Sequence, residues 1–138
     1  MSELIFTFTD HQSKQLTATQ LPSTISLISY SLYIKIEETQ IITVGRFGSF
    51  KFISGNYIYS GSARRNLLAR VNRHLRKEKK LRWHIDYLLN APTVDIVKVL
   101  VSTVSECELV AASGGSVLVS GFGASDCRSG CGSHLRML

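Results

Sequence analysis

Tyr59 closes the apolar run Tyr57-Ile58-Tyr59 and leads into Ser60-Gly61-Ser62-Ala63, and Arg70 and His74 follow one helical turn apart. A phenol, a guanidinium and an imidazole brought to one place suit the cutting of a phosphodiester bond. The run ending at Tyr59 reads as a strand, and Gly61 as part of a turn that glycine makes easily. The phenol is therefore expected to project from a strand edge, where a helix carrying Arg70 and His74 can meet it.

The elements that would hold these groups follow from periodicity. A helix is expected over about residues 66–77, with Leu67, Leu68, Val71 and Leu75 as its buried stripe. Arg70 and His74 fall at the edge of that stripe and can reach back toward Tyr59, whereas Arg73, Arg76 and Lys77 are expected to point outward. Upstream, residues 30–36 and 40–44 read as strands around the turn Glu37-Glu38-Thr39, with an edge strand at 4–8. Gly45-Arg46-Phe47-Gly48 breaks the pattern, Phe50 and Phe52 alternate, and Gly55-Asn56 turns the chain into the Tyr59 strand, giving a meander of short antiparallel strands. Downstream come a short helix over 83–90, a strand over 94–101 that is apolar on both faces, and a helix over 106–112 ended by Gly114-Gly115.

A chain of 138 residues with 44% apolar content is expected to form one domain, here 26–138 after a lead-in of 1–25. No signal peptide or membrane-spanning run is evident, so a cytoplasmic protein without a membrane partner is expected. Three cysteines, an odd count, argue against a disulfide framework. The net charge is +6, and nine of the sixteen Lys and Arg lie between Arg64 and Arg82 against the single acid Glu78. The rest of the chain carries seven bases and nine acids. A positive field this local fits a polyanion-binding face formed by Arg64, Arg65, Arg73, Arg76, Lys77, Lys79, Lys80 and Arg82, although a charge run is as often a solvated helix face.

Five stretches in order complete the picture: residues 55–63, Arg70-Val71-Asn72-Arg73-His74, Arg82 to Leu88, Glu106-Cys107-Glu108-Leu109, and Gly121 to Cys127. Together they resemble the GIY-YIG nuclease superfamily and, more closely, its DUF123 branch, over nearly everything from Tyr30 onward. The resemblance implies a small α/β (α+β) domain with a central three-stranded antiparallel sheet flanked by helices, and an extra hairpin insertion around residues 45–52. It also implies an endonuclease that hydrolyses DNA with one divalent metal ion, Mg²⁺ or Mn²⁺. Tyr59 matches the tyrosine that acts as general base or positions the attacking water. Arg70 matches the arginine that neutralises charge on the phosphate, while His74 and His84 resemble histidines that bond the phosphate or shuttle a proton. Glu106, followed by Leu109 and Val110, matches the metal ligand, with Glu108 as its rival.

The first signature tripeptide reads only Ser29-Tyr30 followed by Ser31-Leu32, or else Ser31-Leu32-Tyr33; Tyr30 is preferred because Leu32 then falls on the same strand face. The family's asparagine near the C-terminus has Ser125 or Asp126 in its region. Cys107, Cys127, Cys131 and His134 form an alternative set, a Cys₃His zinc site, against the plainer reading of small buried thiols. Trp83 and Tyr87 read as core more readily than as a base-stacking platform. A binding module without chemistry and a zinc-stabilised structural domain stand as the rival functions. The sequence leaves open duplex or branched DNA against RNA, the oligomeric state, and a partner protein that confers specificity.

Overall fold

The computed structural model describes residues 3–8, 14–17, 20–21, 27–63, 65–123 and 133–138. In chain order the elements are β1 (Glu3–Thr7), β2 (Ser29–Ile36), β3 (Gln40–Val44), β4 (Gly48–Phe52), β5 (Gly55–Ser62), α1 (Leu67–Leu75), α2 (His84–Leu89), β6 (Val94–Ser102), α3 (Glu106–Ser113) and β7 (Leu135–Met137). The fold is a small mixed α/β domain built on an antiparallel sheet.

Alternation along β2 decides how the sheet is buried. Tyr30, Leu32, Ile34 and Ile36 are all at most 2% exposed, and their cross-strand neighbours on the same face are Gly61, Tyr59 and Tyr57 of β5 and Val101, Val99, Ile96 and Val94 of β6. Against this face pack Leu67, Val71 and Leu75 of α1 and Ile85, Leu88 and Leu89 of α2. The opposite face is covered by α3, whose Leu109 and Val110 are buried together with Ile58 and Leu100 outside the main core. Helices thus lie on both faces, which is why β6 carries buried apolar residues on both, Val99 and Val101 on one and Leu100 on the other.

The main sheet has five strands in the order β1-β6-β2-β5-β7, where the resemblance implied three. β6, β2 and β5 form its centre. β1 adds itself to β6 from Glu3 opposite Ser102 to Thr7 opposite Lys98, turning Leu4 and Phe6 onto the core, and β7 closes the other edge against Tyr57, Ile58 and Tyr59. Each addition satisfies backbone groups that an edge would otherwise leave open. The hairpin insertion is present as the separate pair β3 and β4, which buries Ile42, Val44 and Phe52 and leaves Ile41 exposed.

Two ends differ from expectation for local reasons. The stretch around Gly61 is no turn, because β5 runs on through Ser62 paired to Ser29. α1 stops at Leu75, short of residue 77. Arg76 leaves the helix in an extended conformation, and the Lys79 ammonium donates to the carbonyls of Arg73 (3.1 Å) and His74 (2.8 Å), satisfying the last turn from outside.

Candidate active site

A cleft of about 360 Å³ opens beside the Ser29 and Ser62 ends of β2 and β5. Its wall takes Tyr30 and Tyr59 from the sheet, Arg70 from α1, and Arg82, Trp83 and His84 from the entry to α2. Glu106 from the first turn of α3 and His134 just before β7 complete it. Residues distant in sequence therefore meet, and Tyr30, Tyr59, Arg70, His84 and Glu106 of the expected site are all among them. Tyr33 is not, since it lies on the other face of the sheet with the Lys98 ammonium 4.1 Å from its ring centre.

Both phenols rest against glycines. A methyl group on Gly61 would lie 2.5 Å from the Tyr30 hydroxyl, and one on Gly123 would lie 2.7 Å from the Tyr59 ring. Gly61 is thus required by the close approach of Tyr30 across the strand pair, not by a turn; Gly123 has in addition a φ of 64°, which favours glycine. Burial is the main influence on both tyrosines and raises their pKa well above the usual value near 10. For Tyr59, Glu106 and Asp86 add to the rise, while Arg70 opposes it. At neutral pH both are neutral phenols.

His74 stands behind the cleft, 2% exposed, with its Nε2 2.7 Å from the Tyr30 hydroxyl. Burial, aided by Lys79, pushes its pKa down to about 3, so the ring is neutral. Its Nδ1 is buried without a partner among the described residues. A bare lone pair is cheaper to bury than an orphaned N–H. The favoured tautomer therefore donates Nε2–H to Tyr30, whose own O–H stays available to the cleft. His84 is fixed in another way: its Nδ1 accepts from the Gly123 N–H at 3.0 Å, and Phe47 stacks on its ring at 4.3 Å. Burial lowers its pKa as well, and the neutral ring carries its proton on Nε2.

Arg70 is exposed and held at the rim by one bond to the Ser62 carbonyl, 3.1 Å. Glu106 is half-buried and Glu108 exposed. The N-cap Ser105 accepts from the Glu108 N–H, so that residue turns its backbone to the helix start while Glu106 lines the cleft. His134 places its Nδ1 3.7 Å from a Glu106 oxygen.

The basic stretch divides into two groups. Arg73, expected to point outward, instead clamps the fully buried Asp86 with two 2.9 Å bonds and also donates to the Lys80 carbonyl. Burial alone would raise the Asp86 carboxyl, but bonds from Arg73 and from the Trp83 and Arg82 N–H groups hold it below the usual range. Lys77 is exposed, as expected, and its ammonium lies along the surface, donating to the carbonyls of Leu89 and Val94 and pairing with Asp95 at 3.6 Å. Lys79 caps α1. Partners within the fold thus engage these three, and Arg65, Arg76, Lys80 and Arg82 stand exposed as the outer basic face.

Trp83, read as core, is 37% exposed in the cleft wall with the Arg73 guanidinium 4.3 Å from its ring; Tyr87 does pack against the core. Asp86 escaped notice as the anchor of Arg73, although a lone acid beside a basic run is a signal of such a pair. Arg64, Cys127, Cys131, Ser125 and Asp126 lie outside the described residues. Cys107 is half-buried, and among the described residues no three His, Cys, Asp or Glu gather as a metal cluster.

A family model described as "Domain of unknown function DUF123" matches residues 29–138. No curated protein and no solved structure matches the chain. No helix among the described residues is long and apolar enough to cross a membrane.

Proposed function

The chain belongs to the DUF123 family, and from that premise and the cleft we propose that it is a divalent-metal-dependent endonuclease of the GIY-YIG type that hydrolyses phosphodiester bonds in DNA. The observation that carries this reading is the meeting of Tyr30, Tyr59, Arg70, His84 and Glu106, from five different elements, in one cleft. The resemblance of the five sequence stretches supports it.

Glu106 fits a divalent cation of the Mg²⁺ or Mn²⁺ kind. It is a hard oxygen donor, half-buried in the cleft wall, and a single carboxylate leaves room for water and phosphate oxygens in the shell. Such an ion supplies Lewis acidity to the phosphate. The remaining work falls to the chain. Tyr59, a neutral phenol at rest, orients the attacking water by hydrogen bond, and its conversion to a base requires positive charge that offsets burial and the Glu106 field. The Tyr30 hydroxyl, held from behind by His74, donates toward the same reacting group. Arg70, tethered to Ser62, neutralises charge growing on the phosphate oxygens. His84, with Nδ1 engaged, offers Nε2–H to a phosphate oxygen or the leaving group. Arg65, Arg76, Lys80 and Arg82 bind the flanking backbone.

The test is a screen of labelled single-stranded, duplex, flap and junction DNA, with RNA counterparts, in Mg²⁺ and Mn²⁺. Cleavage that falls about 10²- to 10³-fold in Arg70→Ala and is lost in Tyr59→Phe and Glu106→Gln supports the reading. Binding with no cut strand under any metal makes the chain a binding module and sinks it.

A further inference from the structure

His134 takes no part in the steps above, yet its ring is 3% exposed and lines the cleft. Its main chain is fixed on both sides, the N–H donating to the Phe122 carbonyl at 2.9 Å and the carbonyl accepting from Ser60 at 3.0 Å. That clamp sets the ring beside α3 with Nδ1 3.7 Å from Glu106 Oε2. The other nitrogen, Nε2, is buried with no partner among the described residues. The cost of burying an unpaired N–H favours the tautomer with a bare Nε2 and the proton on Nδ1, facing the carboxylate. The separation is longer than a direct hydrogen bond, and Nδ1 faces the carboxylate across it.

We infer that His134 is a positioning residue for Glu106, its Nδ1–H holding the carboxylate in the orientation that takes up the divalent cation; this rests on the nuclease reading above. Groups of this kind, which touch a ligand and not the ion, change metal affinity when removed. The set of elements that builds the site then extends to the segment leading into β7.

The experiment is Mn²⁺ titration of the full chain followed by electron paramagnetic resonance, which needs no substrate, on the wild type and on Glu106→Gln, His134→Leu and His134→Asn. Leucine fills the buried site without a donor, whereas the asparagine amide presents an N–H near the position of Nδ1. The expected result is loss of Mn²⁺ in E106Q, a rise in Kd of roughly 10- to 100-fold in H134L, and recovery of most of that affinity in H134N. H134L binding as tightly as wild type overturns the inference, and so does H134N binding as weakly as H134L, since ring packing alone then explains the loss. If either variant fails to fold by circular dichroism, the folded one still decides: near-wild-type affinity is required of H134N and weak affinity of H134L. A wild-type chain that takes up no Mn²⁺ overturns both this inference and the metal-dependent reading, whereas loss confined to E106Q overturns only the role of His134.

Discussion

Gly61 and Tyr30 face each other across two strands with no room for one more carbon, so Gly61→Ala must displace the phenol or the strand. The expected cost is about 1–3 kcal/mol of stability, as for other overpacked sites, together with loss of cleavage. Urea unfolding and a cleavage assay check this, and full activity in G61A would show that the Tyr30 position is not needed. His74 makes a prediction about pH. Its folded pKa of about 3 lies below the ordinary 6.5, so between those values the unfolded chain binds the proton and the folded chain does not. Stability is then full above pH 6.5 and falls as pH drops toward 3, by up to about 1.4 kcal/mol per unit. Asp86, also depressed, acts in the same direction lower in the acid range. Unfolding midpoints measured from pH 7 to 4 should decline, and the decline should flatten in His74→Leu.

The entry to α2 is held by one carboxylate, since Asp86 accepts from Arg73 twice and from the N–H groups of Arg82 and Trp83. Asp86→Ala leaves a guanidinium that is 17% exposed without its partner, and about 3–5 kcal/mol of destabilisation is expected. Chemical denaturation measures it; a change within 1 kcal/mol would mean that Arg73 swings out to water. Asn72 does similar work on α1, accepting from the Leu16 N–H at 2.8 Å and donating to the Leu16 carbonyl at 2.9 Å. Asn72→Ala should speed amide exchange at Leu16 by an order of magnitude or more, for the loss of about 1–3 kcal/mol. These polar anchors mark the limit of what could be read from the chain. Strands and helices were legible because alternation along β2 and the 3.6-residue stripe of α1 reflect burial, and Tyr59, Arg70 and Glu106 could be placed in the same cleft on the resemblance. The inward turn of Arg73, the short end of α1 and the contact of Gly61 with Tyr30 depend on partners outside the local repeat, which periodicity does not encode.

The whole molecule presents a modest basic face, since three of the eight cations expected to form it bond partners within the fold and Arg65, Arg76, Lys80 and Arg82 stand exposed. If those four each neutralise a phosphate on duplex DNA, log K should fall with log salt at a slope of about −3 to −4. Reversing Arg82 and Lys80 to glutamate should remove about half of that slope in a fluorescence binding titration; an unchanged slope would place the DNA elsewhere. The sheet that carries the cleft has a further consequence in time. Tyr30 pairs with Val101 and Tyr59 with Leu135, contacts between residues about 70 or more positions apart. Closing such loops is slow compared with forming a helix. After dilution from denaturant, helical signal should therefore return before cleavage does, with activity appearing only as the last long-range pairings form.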